Sequence, residues 1–126
     1  MEKGQLIQNL IGYLQEMEND PTVDAERKKE FSQQVLMLRF LPKRVLNKND
    51  EIIASALVEL SLNGRHSWCL LVPSGGGLVF HHGEHPVQVV TDKSPLGEKL
   101  VGRKAGDTVE ISVGSGVRRY QIISIS

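Results

Sequence analysis

The sequence predicts an α+β fold: a short N-terminal antiparallel helical hairpin, then a small twisted antiparallel β-sheet domain carrying one short helix. Three observations carry this. Apolar residues recur at three- and four-residue spacing up to Leu41, the apolar period shifts to two from Ile52 onward, and turn pairs such as Asn63-Gly64 punctuate the second part. The expected division is residues 1–46 for the hairpin, a truncated coiled coil, and residues 47–126 for the β-rich domain.

Leu6, Ile7, Leu10, Ile11, Leu14 and Met17 make the first helical stripe. Glu18-Asn19-Asp20-Pro21 breaks it, with Asp20 suited to cap a second helix and Pro21 to its first position, where an N–H has no use. Phe31, Val35, Leu38 and Leu41 form the second stripe, widened by Leu36 and Met37 and stopped by Pro42. Two stripes joined by a short link pack as antiparallel neighbours. Helices of about 15 and 20 residues would be roughly 22 and 30 Å long.

Ile52, Ile53, Ala56, Val58 and Leu60 read as strand and end at Asn63-Gly64, a strong hairpin signal. Further strands are expected at 66–72, 78–80 and 87–90, the first of them ending in Pro73-Ser74-Gly75-Gly76-Gly77. Ser94-Pro95 should start a helix running to about Val101, with Gly102 closing it. Residues 108–113 and 117–125 alternate at period two around Gly114-Ser115-Gly116, a closing hairpin.

The totals exclude several classes. Of 126 residues, 15 are Lys or Arg and 15 Asp or Glu, so no long-range field draws in nucleic acid, and direct specific nucleic-acid binding is not expected. The short basic stretch Lys43, Arg44 and Lys48 reads as a solvated connection. Cys69 is the sole cysteine, which precludes an intrachain disulfide and a Cys-based zinc site and suits a reducing compartment. The first residues carry acids and amides where a signal peptide needs an apolar run, and nothing approaches a membrane span. A cytoplasmic protein without a membrane partner is expected.

His81-His82-Gly83-Glu84-His85 invites a metal reading, but on a strand His81 and His85 share one face with Glu84 opposite, so an exposed hairpin connection is the better account. Ser74-Gly75-Gly76-Gly77 lacks the Lys-Ser/Thr of a phosphate loop. Cys69, between Trp68 and Leu70 on an expected strand, reads as a buried inert thiol. No cofactor and no catalytic residue are expected.

The tail is more specific. Ser94-Pro95-Leu96-Gly97, Leu100, Gly102, Lys104-Ala105-Gly106-Asp107, Val109 and Gly116-Val117-Arg118-Arg119-Tyr120-Gln121-Ile122 are similar to the carboxy-terminal domain of the Gre-type transcript-cleavage factors, with their Ser-Pro-led helix, Gly-Asp turn and final aromatic strand. The resemblance is good over residues 91–126 and loose over 50–90. Each residue also has a structural role: Gly102 and Gly106 supply backbone angles other residues resist, and Asp107 tightens a turn.

The resemblance implies a globular domain shaped like an FK506-binding protein, docked at the rim of the RNA polymerase secondary channel in a bacterial cell. In the full-length family a long coiled coil enters the channel, and acids at its tip help hold the catalytic magnesium. Truncated Rnk-type relatives keep a short helical pair and bind polymerase without cleaving RNA, and this chain departs from the full-length pattern in that direction. It is therefore read as a non-enzymatic polymerase-binding regulator that competes with longer Gre-type factors. An active cleavage factor, and a peptide-binding module with Trp68, Phe80 and Tyr120 lining a pocket, are the alternatives. Polymerase-contact candidates carried over from the family are Asp92, Lys93, Ser94, Pro95 and Leu96, although the family often has Asp or Asn where Lys93 stands here. Ser94-Pro95 reads equally as a plain helix start. Candidate tip acids are Glu18, Asp20, Asp24 and Glu26; capping and the helix dipole account for them better than magnesium. Oligomeric state stays open, since an apolar stripe on a short hairpin could pair with another copy.

Overall fold

A computed structural model describes residues 2–42 and 44–126 of the chain, which divides into two compact units, Met1–Lys43 and Arg44–Ser126. Helix α1 (Lys3–Glu18) and helix α2 (Ala25–Phe40) form the first and pack on each other. Each has 16 residues, so each is about 24 Å long. Leu6, Ile7, Leu10, Ile11 and Leu14 are buried as their spacing predicts. At about 2 kcal/mol for each large aliphatic side chain taken from water, that stripe is the principal stabilising feature of α1.

The second helix begins later than expected. Asp20 does not cap it: the Asp20 carboxylate accepts hydrogen bonds from the Thr22 amide (2.9 Å) and hydroxyl (2.7 Å), while the Val23 amide donates to the Asp20 carbonyl. Asp20-Pro21-Thr22-Val23 is thus a β-turn with proline at its second position, which suits an Asp-Pro pair as well as a helix start does. Asp24 caps α2 instead, accepting from the Arg27 amide at 2.8 Å. Inside α2 only Val35 and Leu38 are buried, with Leu41 just beyond it; Phe31 and Met37 are half-buried and Leu36 and Phe40 face solvent. Leu36 therefore does not widen the buried stripe.

The second unit is one six-stranded sheet with a short helix. Its strands are β1 (Leu57–Leu62), β2 (Arg65–Val72), β3 (Leu78–His82), β4 (His85–Thr91), β5 (Thr108–Val113) and β6 (Gly116–Ile125), in spatial order β3-β4-β2-β1-β6-β5. Four pairs are antiparallel, but β2 and β4 run parallel, with Trp68 beside Val87 and Leu71 beside Val90. The sheet is mixed, not wholly antiparallel as expected, because the β3–β4 hairpin folds back and β4, not β3, takes the place beside β2. Asn63 and Gly64, both at positive φ (53° and 82°), turn β1 into β2 as that pair predicts.

Two strand expectations fail. Residues 52–56 are not strand, because Ser55 sits at φ 92° beside Leu71. Ile52 is nonetheless fully buried, pairing through its backbone with Gly102 and Arg103. In β6 the register against β1 slips between Glu59 and Leu60, so Ile123 bulges out and Ile122 and Ile125, three apart, are both buried.

Helix α3 (Pro95–Leu100) lies against β4 and β5. Its Leu96 and Leu100 join a core of Leu46, Ile52, Val58, Leu60, Cys69, Leu71, Val90, Val109 and Ile122. Leu46 thus belongs to this core, although it was expected to end the helical part. Of the basic stretch, Arg44 and Lys48 are exposed, Arg44 lying 3.5 Å from Asp50, and Lys43 falls outside the described residues.

Candidate functional site

The Ser94-Pro95 turn is built by hydrogen bonds converging on one carbonyl. The Ser94 amide (3.2 Å) and hydroxyl (2.7 Å) both donate to the Thr91 carbonyl, and the Ser94 hydroxyl accepts from the Gly97 amide at 3.1 Å. Ser94 is therefore the N-cap that the sequence suggests, and Pro95 occupies the first helical position. Thr91 is approached from both sides. A Cβ on Gly97 would collide with its carbonyl, and one on Gly76 would lie 3.3 Å from its amide nitrogen. Gly76, at φ 97°, lies in a run with Gly75 (76°) and Gly77 (77°), so the glycine turn is a shaped loop held at left-handed angles.

Beside this turn opens a cleft of about 310 Å³. Gly75 and Gly77 form one wall, the end of β4 (Gln88 to Thr91) and Ser94-Pro95-Leu96 a second, and Ile111, Val113, Arg118 and Tyr120 of the β5–β6 hairpin the third. Pro95 is exposed and Leu96 half-buried between cleft and core. Three of the five expected contact residues are thus brought together.

Asp92 and Lys93 are not in the lining. The Asp92 amide donates to the Val72 carbonyl at 3.2 Å, and its Oδ1 is buried with no hydrogen-bond partner. Lys93 is exposed. The expected aromatic trio does not assemble as a lining: only Tyr120 reaches the cleft. Trp68 instead packs its ring 4.7 Å from His85.

Sequence reasoning missed Arg118 and the glycine wall. Strand alternation places Arg118 on the same face as Tyr120 and Ile122, opposite Ile111, whereas Arg119 faces away and pairs with Glu110 at 2.7 Å. Counting back in twos from Ile122 would have separated the two arginines. Asp107 tightens its turn, accepting from the Lys104 amide at 2.9 Å, and Gly102 and Gly106 sit at φ 83° and 94°.

The hairpin-tip acids have local partners or exposed positions. Asp24 caps α2 and Glu26 lies in the first turn of that helix. Asp20 binds Thr22, whose amide and hydroxyl hold its carboxyl below the usual range. Glu18 ends α1 beside Lys28 and Lys29. Among the described residues no group of three or more His, Cys, Asp or Glu side chains is disposed to hold a metal ion, and no helix is long and apolar enough to cross a membrane. The histidine run forms the expected hairpin connection: His82 ends β3, Gly83-Glu84 turn, and His85 starts β4 opposite it, so the three histidines are shared between two strands. Burial pushes the Cys69 thiol up to about 12.

Comparison with known proteins fits this geometry. Residues 84–126 match the family described as transcription elongation factor, GreA/GreB, C-term. The transcription elongation factor GreA of Thermotoga sp. (strain RQ2) is 33% identical over 81 residues, covering 62% of this chain and 47% of that protein. GreA of Thermotoga maritima is 50% identical over 38 residues, which are 30% of this chain and 24% of that one. The chain therefore spans half or less of the length of these relatives. A solved structure of the transcription factor Gfh1 shares the fold at 22% identity, with a TM-score of 0.51 over 98% of this chain and 85% of that one. The Ser94-Pro95 turn, helix α3 and the β5–β6 hairpin all fall inside the stretch that matches the GreA/GreB carboxy-terminal family.

Proposed function

We propose that the protein is a cytoplasmic RNA polymerase-binding transcription regulator that docks at the secondary-channel rim through the Ser94–Leu96 turn. It acts without cleaving RNA and competes with longer Gre-type factors, in the manner of truncated Rnk-type relatives. The observation that carries this reading is the position of the Ser94-Pro95 turn inside the matched family domain, with Pro95 exposed at the edge of a cleft. The non-cleaving part rests on the hairpin. Helices of about 24 Å are short for reaching a deep active site, and Asp20 and Asp24, which would hold magnesium, are committed to a turn and a cap. Direct nucleic-acid binding has no part in this reading, given a net charge of zero.

The test is pull-down of purified core RNA polymerase by the wild-type protein and by Pro95→Ala, followed by a cleavage assay on stalled complexes and competition against a longer Gre factor. Binding weakened by Pro95→Ala, no cleavage, and displacement of the longer factor are expected. Failure to bind polymerase at micromolar concentration would remove the proposal. Cleavage that is lost when Glu18 and Asp20 are replaced would convert the protein into a cleavage factor.

A further inference from the structure

Among the described residues Arg118 is the one charged residue lining the cleft, and it stands where strand alternation calls for an apolar side chain. On that face of β6, Ile122 is fully buried and Tyr120 half-buried, and opposite Arg118 on β5 is Ile111. Among the described residues Arg118 takes part in no ion pair, whereas its neighbour Arg119 is paired with Glu110 on the other face. The cleft thus combines apolar walls (Leu96, Ile111, Val113) with an uncommitted guanidinium at its edge, a surface that complements an apolar side chain adjacent to a carboxylate.

We infer that the cleft is occupied by an extended segment of a protein partner, one that presents an apolar side chain next to an Asp or Glu, and that Arg118 selects the segment by pairing with that carboxylate. Assigning the segment to polymerase rests on the docking reading above; the chemistry of the cleft does not. An arginine pairing at a partly desolvated edge distinguishes charged from neutral partners more than it adds raw affinity. Its contribution falls as salt screens it.

The experiment has two arms, each run with the whole 126-residue chain and with its Arg118→Met and Arg118→Glu variants. In the first, acetyl-Leu-Phe-Asp-Glu-amide and its Asn-Gln counterpart are titrated at millimolar concentration while the amide resonances of Ser94, Leu96 and Tyr120 are followed by NMR. The acidic peptide should shift these resonances and the neutral one should bind about fivefold or more weakly, a preference that vanishes in Arg118→Met and reverses in Arg118→Glu. Equal response to both peptides, or none to either, overturns the inference. In the second, affinity for core polymerase is measured across a salt series. The wild type should lose affinity with salt, and Arg118→Met should be weaker by about fivefold at low salt and less salt-dependent. Polymerase binding that is unchanged in Arg118→Glu overturns the inference and leaves the docking reading standing. Acid-selective peptide binding without any polymerase binding does the reverse: it supports the cleft chemistry and removes polymerase as the partner.

Discussion

A Cβ on Gly97 would lie 1.8 Å from the carbonyl oxygen of Thr91, the same oxygen that accepts both the amide and the hydroxyl of Ser94. The end of β4 and the start of α3 are therefore in backbone contact, and no rotamer change can make room for a methyl group. Gly97→Ala should push α3 off β4 and cost about 2 kcal/mol or more. Urea unfolding measures this, and Gly97→Ala should also lose polymerase binding, because the Ser94-Pro95 turn moves with α3. An unchanged unfolding midpoint would mean that α3 accommodates the methyl by a shift the packing does not suggest.

Capping of α2 separates two neighbouring acids. Asp24→Ala should cost about 1 kcal/mol by leaving the Arg27 amide without its acceptor. Asp20→Ala should cost less, since the Asp20 carboxylate serves an exposed turn that Pro21 already biases. Thermal melts of the two variants followed by helical circular dichroism decide between them; equal losses would contradict the assignment of the cap.

On the sheet surface Glu59 accepts from His66 Nδ1 at 2.8 Å and from the Ser124 hydroxyl at 3.0 Å, joining β1 to β2 and β6. The hydrogen bond to His66, and then that to Ser124, hold the Glu59 carboxyl below its ordinary range. A lowered folded-state value means the group stabilises the fold above the ordinary glutamate value of 4.5 and loses that contribution as pH falls through the lower one. The His66 side chain is 48% exposed and that of Glu59 21%, so solvent screening keeps the effect small. Wild type should weaken on that acid limb, and Glu59→Gln should start lower at neutral pH and fall less steeply. Denaturant titrations at a series of pH values read this directly.

Cys69 is buried between β1 and β4, with its thiol raised to about 12 by desolvation. A thiol reagent at neutral pH should label it only as fast as the sheet opens, and completely in denaturant. Rapid labelling of the native protein would contradict this burial.

Much of the fold was legible because it depends on residues close together in the chain. The stripe of α1, the Asn63-Gly64 hairpin, the Ser94 cap with Pro95 behind it, and the Asp107 turn are all decided within a few residues, where backbone angle and side-chain reach set the outcome. The tail's spaced motif likewise falls within the stretch that matches the GreA/GreB carboxy-terminal family. Some local choices were still degenerate: Asp20-Pro21 and Asp24 both suit a helix start, and the turn around Thr22 settles which one caps.

What only the tertiary structure decided depends on partners far apart in sequence. Pairing of β2 with β4 rather than β3 is a choice among strands of similar composition, and period-two patterning does not rank them. The bulge at Ile123 reflects register against β1, not any property of β6 alone. The cleft gathers a glycine turn, a helix start and a hairpin that are separated by up to some forty residues, and only folding brings Arg118 and Pro95 to one cleft. A strand's alternation states which side chains share a face; the packing of other elements determines what that face confronts.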